Sequence, residues 1–279
     1  MPMRSAITIC LVPEARQGPF VFHDGLEQGC RAARACGFDA VEIFPGSAAD
    51  LPAAEVGRVL AEQGLGLAAV GTGAGWVRHR LHFCHADPAV RERAIAFAGD
   101  IVAAAGRLGA PAIIGSMQGQ ATPEVPRPDA LDLLAEALSQ LGSRAEAHGQ
   151  VLLYEPLNRY ETNLFNLQGD AAAFLRDRGL GTVKLLCDLF HMAIEETDIA
   201  RTLVACGELV GHVHWADSNR RAMGFGHTDA GPILAALGRI GYEGCLSAEV
   251  FPLPSPEAAA RQTISSLRPP ARDRAGTPA

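Results

Sequence analysis

Four short apolar runs in the second half of the chain each stop on a side chain that binds metal ions well. They are Val151-Leu152-Leu153-Tyr154-Glu155, Val183-Lys184-Leu185-Leu186-Cys187-Asp188, Leu209-Val210-Gly211-His212-Val213-His214 and Cys245-Leu246-Ser247-Ala248-Glu249. If the runs are parallel strands of one barrel, Glu155, Asp188, His214 and Glu249 meet at a single rim. Three carboxylates and one imidazole suit a hard or borderline divalent ion, Mn²⁺ first and Mg²⁺ or Co²⁺ next. A lone acidic strand end reads more simply as a helix cap or a solvated turn. Four consecutive strands ending in this way do not.

The elements that must position these residues follow from the rhythm of the whole chain. Strand-like apolar runs at 6–12, 38–44, 65–70 and 111–115 precede the four above, and helical patterns fill the intervals. These helices lie near 25–36, 52–63, 88–108, 128–148, 168–178, 198–206, 230–239 and 256–267. Asp87-Pro88 supplies an N-cap and a first-turn proline for the third of them. Eight strands strictly alternating with eight helices predict a single (β/α)₈ TIM barrel. A doubly wound open sheet is the rival, and it does not bring four consecutive strand ends to one centre. The barrel is expected over residues 1–267, with a disordered Pro- and Arg-rich tail at 268–279.

Composition narrows the function classes. The 279 residues are 48% hydrophobic, which suits a barrel of about 250 residues. A formal net charge of −7 argues against a nucleic-acid partner, because phosphate binding draws on clustered Lys and Arg. Seven cysteines without a C-x-x-C pair point to a reducing, cytoplasmic setting. No apolar stretch approaches the roughly 20 residues of a membrane span, so no membrane partner is expected.

The flanks of the four strand ends carry a resemblance. The stretches Glu155-Pro156-Leu157-Asn158-Arg159-Tyr160-Glu161-Thr162 and Asp188-Leu189-Phe190-His191-Met192-Ala193-Ile194-Glu195-Glu196 form half of it. His212-Val213-His214-Trp215-Ala216-Asp217-Ser218-Asn219-Arg220-Arg221 and Ala248-Glu249-Val250 complete it. Together they resemble the xylose-isomerase-like TIM-barrel family of sugar isomerases and epimerases, in particular its D-tagatose 3-epimerase, D-psicose 3-epimerase and keto-gluconate epimerase branch. The resemblance implies that Glu155, Asp188, His214 and Glu249 hold one divalent ion and that Glu155 and Glu249 move protons. It also implies that His191 and Arg220 grip the substrate's carbonyl and neighbouring hydroxyl oxygens, and that Glu161 takes a terminal hydroxyl. The chain departs from the family at Leu189, where threonine is common.

The chemistry implied is proton transfer beside a ketone. The negative oxygen that forms needs a cation as Lewis acid and template, and two opposed carboxylates can take and return the proton. The expected substrate is a small ketose or keto sugar acid, and a homodimer or homotetramer is expected by family analogy. A hydroxypyruvate-type isomerase or an inosose-type dehydratase uses the same parts. An endonuclease IV-like nuclease would need further His ligands, yet the strands ending at Val70 and Gly115 offer none at their rims. A non-catalytic sugar-binding barrel would not need the opposed carboxylates.

Two features remain open at this level. His212 shares a strand face with His214 and is expected inside the barrel, behind the ligands. The loop 71–85 holds three His and two Arg, and Trp76 breaks its likeness to G-x-G-x-x-G. This loop reads either as a lid that recognises a carboxylate or phosphate or as an exposed loop or subunit contact.

Overall fold

The computed structural model describes residues 3–267, so the tail expectation for 268–279 lies outside the described residues. Eight parallel strands close on themselves in sequence order. The first half runs β1 (Arg4–Cys10), α1 (Leu26–Cys36), β2 (Ala40–Phe44), α2 (Ala53–Gln63), β3 (Gly66–Gly71), α3 (Ala74–His79), α4 (Pro88–Arg107), β4 (Ala112–Ile114) and α5 (Arg127–Glu146). The second half runs β5 (Leu152–Tyr154), α6 (Gln168–Asp177), β6 (Val183–Asp188), α7 (Leu189–Glu195), α8 (Ile199–Cys206), β7 (Val210–His214), α9 (Ala230–Arg239), β8 (Cys245–Ala248) and α10 (Pro256–Leu267). This is the (β/α)₈ barrel that the alternation predicts, with β8 pairing back onto β1.

Local chemistry sets many of the boundaries. The Asp87 side chain accepts from the Ala89 amide and Pro88 opens α4, as the sequence predicts. Glycines in the left-handed region, Gly37 and Gly64, end α1 and α2. Two short helices exceed the eight expected. Helix α3 forms inside the loop after β3, where Ala74 and Val77 pack with Phe44 and Phe97. Helix α7 starts directly from the end of β6, because the Asp188 side chain itself caps it at the Phe190 amide, 2.8 Å away.

Strand alternation divides the core in two. Leu152, Tyr154, Leu185, Cys187, Val213 and Ala248 face the helices and join the main hydrophobic cluster. Their neighbours Leu153 and Leu186 pack with Ala69 and Ile113 in a separate cluster inside the barrel. Two residues beyond Leu153 comes Glu155, and two beyond Leu186 comes Asp188. The same parity carries His212 to His214 and Ser247 to Glu249. Thus the inward face that is apolar at mid-barrel turns polar at the C-terminal rim. Among the described residues, no helix is long and apolar enough to cross a membrane.

Candidate active site

The rim of the barrel brings Glu155, Asp188, His214 and Glu249 together. One ligand atom from each lies within 4.8 Å of the others. His214 Nδ1 sits at the hub, 3.7 Å from Glu155 Oε1, 3.6 Å from Asp188 Oδ2 and 3.7 Å from Glu249 Oε2. Register accounts for this, since Asp188 is paired with His214 and His214 with Ser247 in adjacent strands. Close approach from β4 is also required. A Cβ at Gly115 would collide with Glu155 Oε2, so only glycine leaves room for that carboxylate.

Glu155 Oε1, Asp188 Oδ2 and His214 Nδ1 are buried and have no hydrogen-bond partner. Orphaned buried acceptors are costly unless something else satisfies them. Here the orphans all aim at one point, and they are the oxygen and imidazole donors that a divalent ion prefers. Charge agrees with geometry. Arg220 Nη2 lies 2.6 Å from Glu249 and 3.6 Å from Asp188, and its charge also acts on Glu155, while Glu42 faces His212 and His214 from behind. Burial pushes the Glu155 carboxyl well above its ordinary range; His214 and Arg220 oppose this, and the charges of Glu249 and Asp188 add to it. Glu249 is raised for similar reasons. Burial acts upward on Asp188 too, but His191, Arg220 and His214 outweigh it and hold that carboxyl below the usual range. The residues fit one divalent cation.

Hydrogen bonds behind the rim decide which ring nitrogens face it. His214 Nε2 lies 3.3 Å from Glu42 Oε2, and a carboxylate can only accept. Nε2 therefore carries the hydrogen and Nδ1 is the nitrogen turned to the cluster. Against the effect of burial, Glu42, Glu249 and Asp188 raise the proton affinity of His214, and a bound cation would take the place of the proton on Nδ1. His191 is arranged the other way. The Asn158 backbone amide donates to His191 Nδ1 at 3.2 Å, and the Asn158 side-chain amide sits 2.7 Å from the same atom. With Nδ1 accepting, a neutral His191 carries its hydrogen on Nε2, which lies 3.7 Å from Glu155 Oε1 and 3.6 Å from Asp188 Oδ2. Burial lowers the His191 pKa and favours that neutral form. So His214 turns Nδ1 to the cluster as a ligand atom for a cation, and His191 offers an N–H beside it.

Arg220 adopts a left-handed backbone (φ 57°) that turns its guanidinium over the site. Its Nη2 donates to Glu249 Oε2 at 2.6 Å, its Nη1 is 3.7 Å from Glu161 Oε1, and its plane lies 4.9 Å from the Phe190 ring centroid. Glu161 accepts from the Asn158 side chain at 2.9 Å and stands at the outer edge of the cavity, 41% exposed. All seven residues singled out in the sequence line or adjoin one cavity of about 380 Å³. Phe20, Phe44 and Trp76 form its apolar wall.

Glu42 is the functional residue that sequence reasoning missed. It is fully buried on β2, with Oε1 accepting from Thr8 Oγ1 at 3.1 Å and Oε2 close to both His212 Nε2 (2.9 Å) and His214 Nε2. The available signal was an acid in the middle of an apolar strand, two residues from the inward Ala40. His212 lies inside the barrel behind His214, as its parity predicts. The pattern of carboxylate, imidazole and ligand site orients the donor and raises its basicity. Glu42→Gln is expected to weaken Mn²⁺ binding about ten- to a hundredfold by titration calorimetry. Wild-type affinity in that variant would deny Glu42 this part.

Both arginines of the 71–85 loop, and His79, are spent elsewhere. Arg78 pairs with Glu14 at 3.2 Å, Arg80 covers Trp76 at 5.1 Å, and His79 meets Phe97 edge to face. Neither arginine lines the cavity over the ligand cluster. The anion-recognition reading of this loop therefore finds no support in the geometry.

Comparison with known proteins places this arrangement. The sequence model of the xylose isomerase-like TIM barrel matches residues 30–269. The chain is 32% identical over 230 residues to the L-ribulose 3-epimerase of Mesorhizobium japonicum, covering 81% of this chain and 75% of that protein. It is 33% identical over 156 residues to the 3-dehydro-D-guloside 4-epimerase of Escherichia coli, covering 52% of this chain and 58% of that protein. A solved L-ribulose 3-epimerase superposes with a TM-score of 0.79 at 27% identity, covering 94% of this chain and 92% of that one. Barrel, rim and sequence thus agree: the chain belongs to the xylose isomerase-like TIM barrel family.

Proposed function

We propose that the chain is a divalent-metal-dependent epimerase of a ketose or keto sugar, keto sugar acids included. The observation that carries this reading is the convergence of unpaired buried acceptors on one point, with Glu155 and Glu249 entering from β5 and the end of β8. The named activities of the two relatives support it, since each inverts a carbon beside a carbonyl: C3 of a 2-ketose and C4 of a 3-dehydro sugar.

Glu155, Asp188, His214 and Glu249 would hold the ion. A divalent ion bound there supplies positive charge opposite the oxyanion that grows as a proton leaves carbon. The chain's own groups do the rest. His191 Nε2–H donates to a substrate oxygen, and Arg220 gives a second, cationic donor at the same edge. One of Glu155 and Glu249 takes the proton from the carbon beside the carbonyl, and the other returns one to the opposite face. Both carboxylates line the cavity over the cluster, where a carbon beside the carbonyl would lie between them. The aromatic wall excludes water and strengthens these contacts.

The test is a panel of ketoses, keto sugars, keto sugar acids and hydroxypyruvate, incubated with Mn²⁺, Mg²⁺ or Co²⁺ and followed by NMR and mass spectrometry. An epimer of unchanged mass is the expected product. An aldose would instead show an aldose–ketose isomerase, and a product 18 mass units lighter a dehydratase.

A further inference from the structure

The cavity over the ligand cluster does not end at the reacting centre. A second cavity of about 540 Å³ lies beyond it, towards the loops that follow β4 and β5. Trp76, Ser116, Leu157 and Glu161 line both, so the two spaces adjoin across these four residues. Either volume falls within the roughly 300–1,000 Å³ of ordinary small-molecule sites. The second is the larger.

Its wall has the chemistry of a sugar-ring site. Trp76 is held by the Arg80 guanidinium 5.1 Å from its ring and by the His82 ring at 5.7 Å. Tyr160 is 80% exposed at the margin, a large aromatic surface that the fold itself does not use. Aromatic faces take the C–H face of a pyranose, and hydroxyls need donors and acceptors around the edge. Ser116, Gln120 and the Glu161 carboxylate supply them. Gln120 donates to the Glu161 carbonyl at 2.8 Å, which joins the loops on either side of the cavity. Among the described residues, no lysine or arginine lines this space, so a phosphate or carboxylate has no partner there. Burial lowers the pKa of His82, which favours its neutral form.

We infer that the substrate is longer than one sugar ring. The reacting keto sugar lies over the Glu155–Asp188–His214–Glu249 cluster, and a second, neutral ring joined to it occupies the neighbouring cavity. The substrate class is then a keto-glycoside, such as a keto-disaccharide, rather than a free ketose. This rests on the epimerase reading above for the reaction itself. It does not rest on it for the binding.

The experiment compares a free 3-keto-hexose with a 3-keto-disaccharide built on the same ring, using the Mn²⁺-loaded protein. Wild type should turn over the disaccharide with kcat/KM at least tenfold higher. Tyr160→Ala and His82→Ala should each lower that ratio several-fold, mainly through KM. Equal or better turnover of the free sugar, or variants that affect both substrates alike, would overturn the inference. Calorimetry separates this from failure of the epimerase reading. If neither compound reacts, tighter binding of the disaccharide, weakened by both variants, still upholds the second subsite, and equal binding overturns it. Sedimentation gives one more check. A dimer that Tyr160→Ala dissociates without changing the substrate ratio would make this surface an interface, and the inference fails.

Discussion

Glu249→Gln should abolish epimerisation while leaving the ion in place, with turnover falling about 10²- to 10⁴-fold, the usual contribution of a positioned general base. The substitution is nearly isosteric. Its amide oxygen can still accept from Arg220 Nη2, now 2.6 Å from Glu249 Oε2, and can still face His214. What disappears is the ionisable carboxylate, since an amide can neither take nor return a proton. Glu155→Gln should be equally inactive, for the carboxylate from β5. The pair can be told apart by deuterium wash-in started from each of the two epimers. With two opposed bases, one variant loses exchange from one epimer and the other variant from the second epimer. Loss from the same epimer in both variants would contradict the two-base arrangement. Mn²⁺ retention has to be measured alongside, because both residues also belong to the ligand set.

Asp188→Asn should remove the ion and with it the activity. Asp188 is fully buried and splits its work between two oxygens. Oδ1 accepts from the Phe190 amide and starts α7, while Oδ2 is one of the orphaned acceptors at the cluster. Asparagine keeps the cap, whose loss would cost about 1 kcal/mol, and replaces the charged ligand. The fold is therefore expected to persist. In wild type, free Mn²⁺ at a hundred times its Kd stabilises the native state by about 2.7 kcal/mol and raises the melting temperature accordingly. In Asp188→Asn that Mn²⁺-dependent shift should vanish, and turnover should drop to background. A variant that keeps the full shift would show that the ion, if bound, sits elsewhere.

The four strand-end residues were legible because strand parity is a local property. Leu153 to Glu155 and Leu186 to Asp188 are two-residue steps, and an inward apolar residue places the next inward residue on the same face. The barrel was legible from the same periodicity. Glu42 was not, because its partner His212 lies 170 residues away and the contact crosses the barrel interior. No local pattern carries such a contact, and only closure of β8 onto β1 brings β2 behind β7. The opposite orientation of the two imidazoles was hidden for the same reason, since Asn158 and Glu42 set it from outside each histidine's own segment. Helix α3 escaped because its glycine-rich start reads as a turn, and packing on Phe44 and Phe97 outweighs that local preference. The charges of loop 71–85 misled in a different way. Composition shows that Arg78 is present, but not that Glu14 occupies it.

On the proposed chemistry, this rim labilises a C–H bond next to a carbonyl with the help of a divalent ion. Incubation in deuterated water with keto sugars and Mn²⁺, followed by NMR at the carbon beside the carbonyl, measures this directly. The expected result is deuterium at that carbon together with the epimer, both lost on chelation and both restored when Mn²⁺ is returned. Exchange that survives complete removal of the ion, or no exchange across ketoses, keto-glycosides and keto sugar acids with the ion bound, would contradict it.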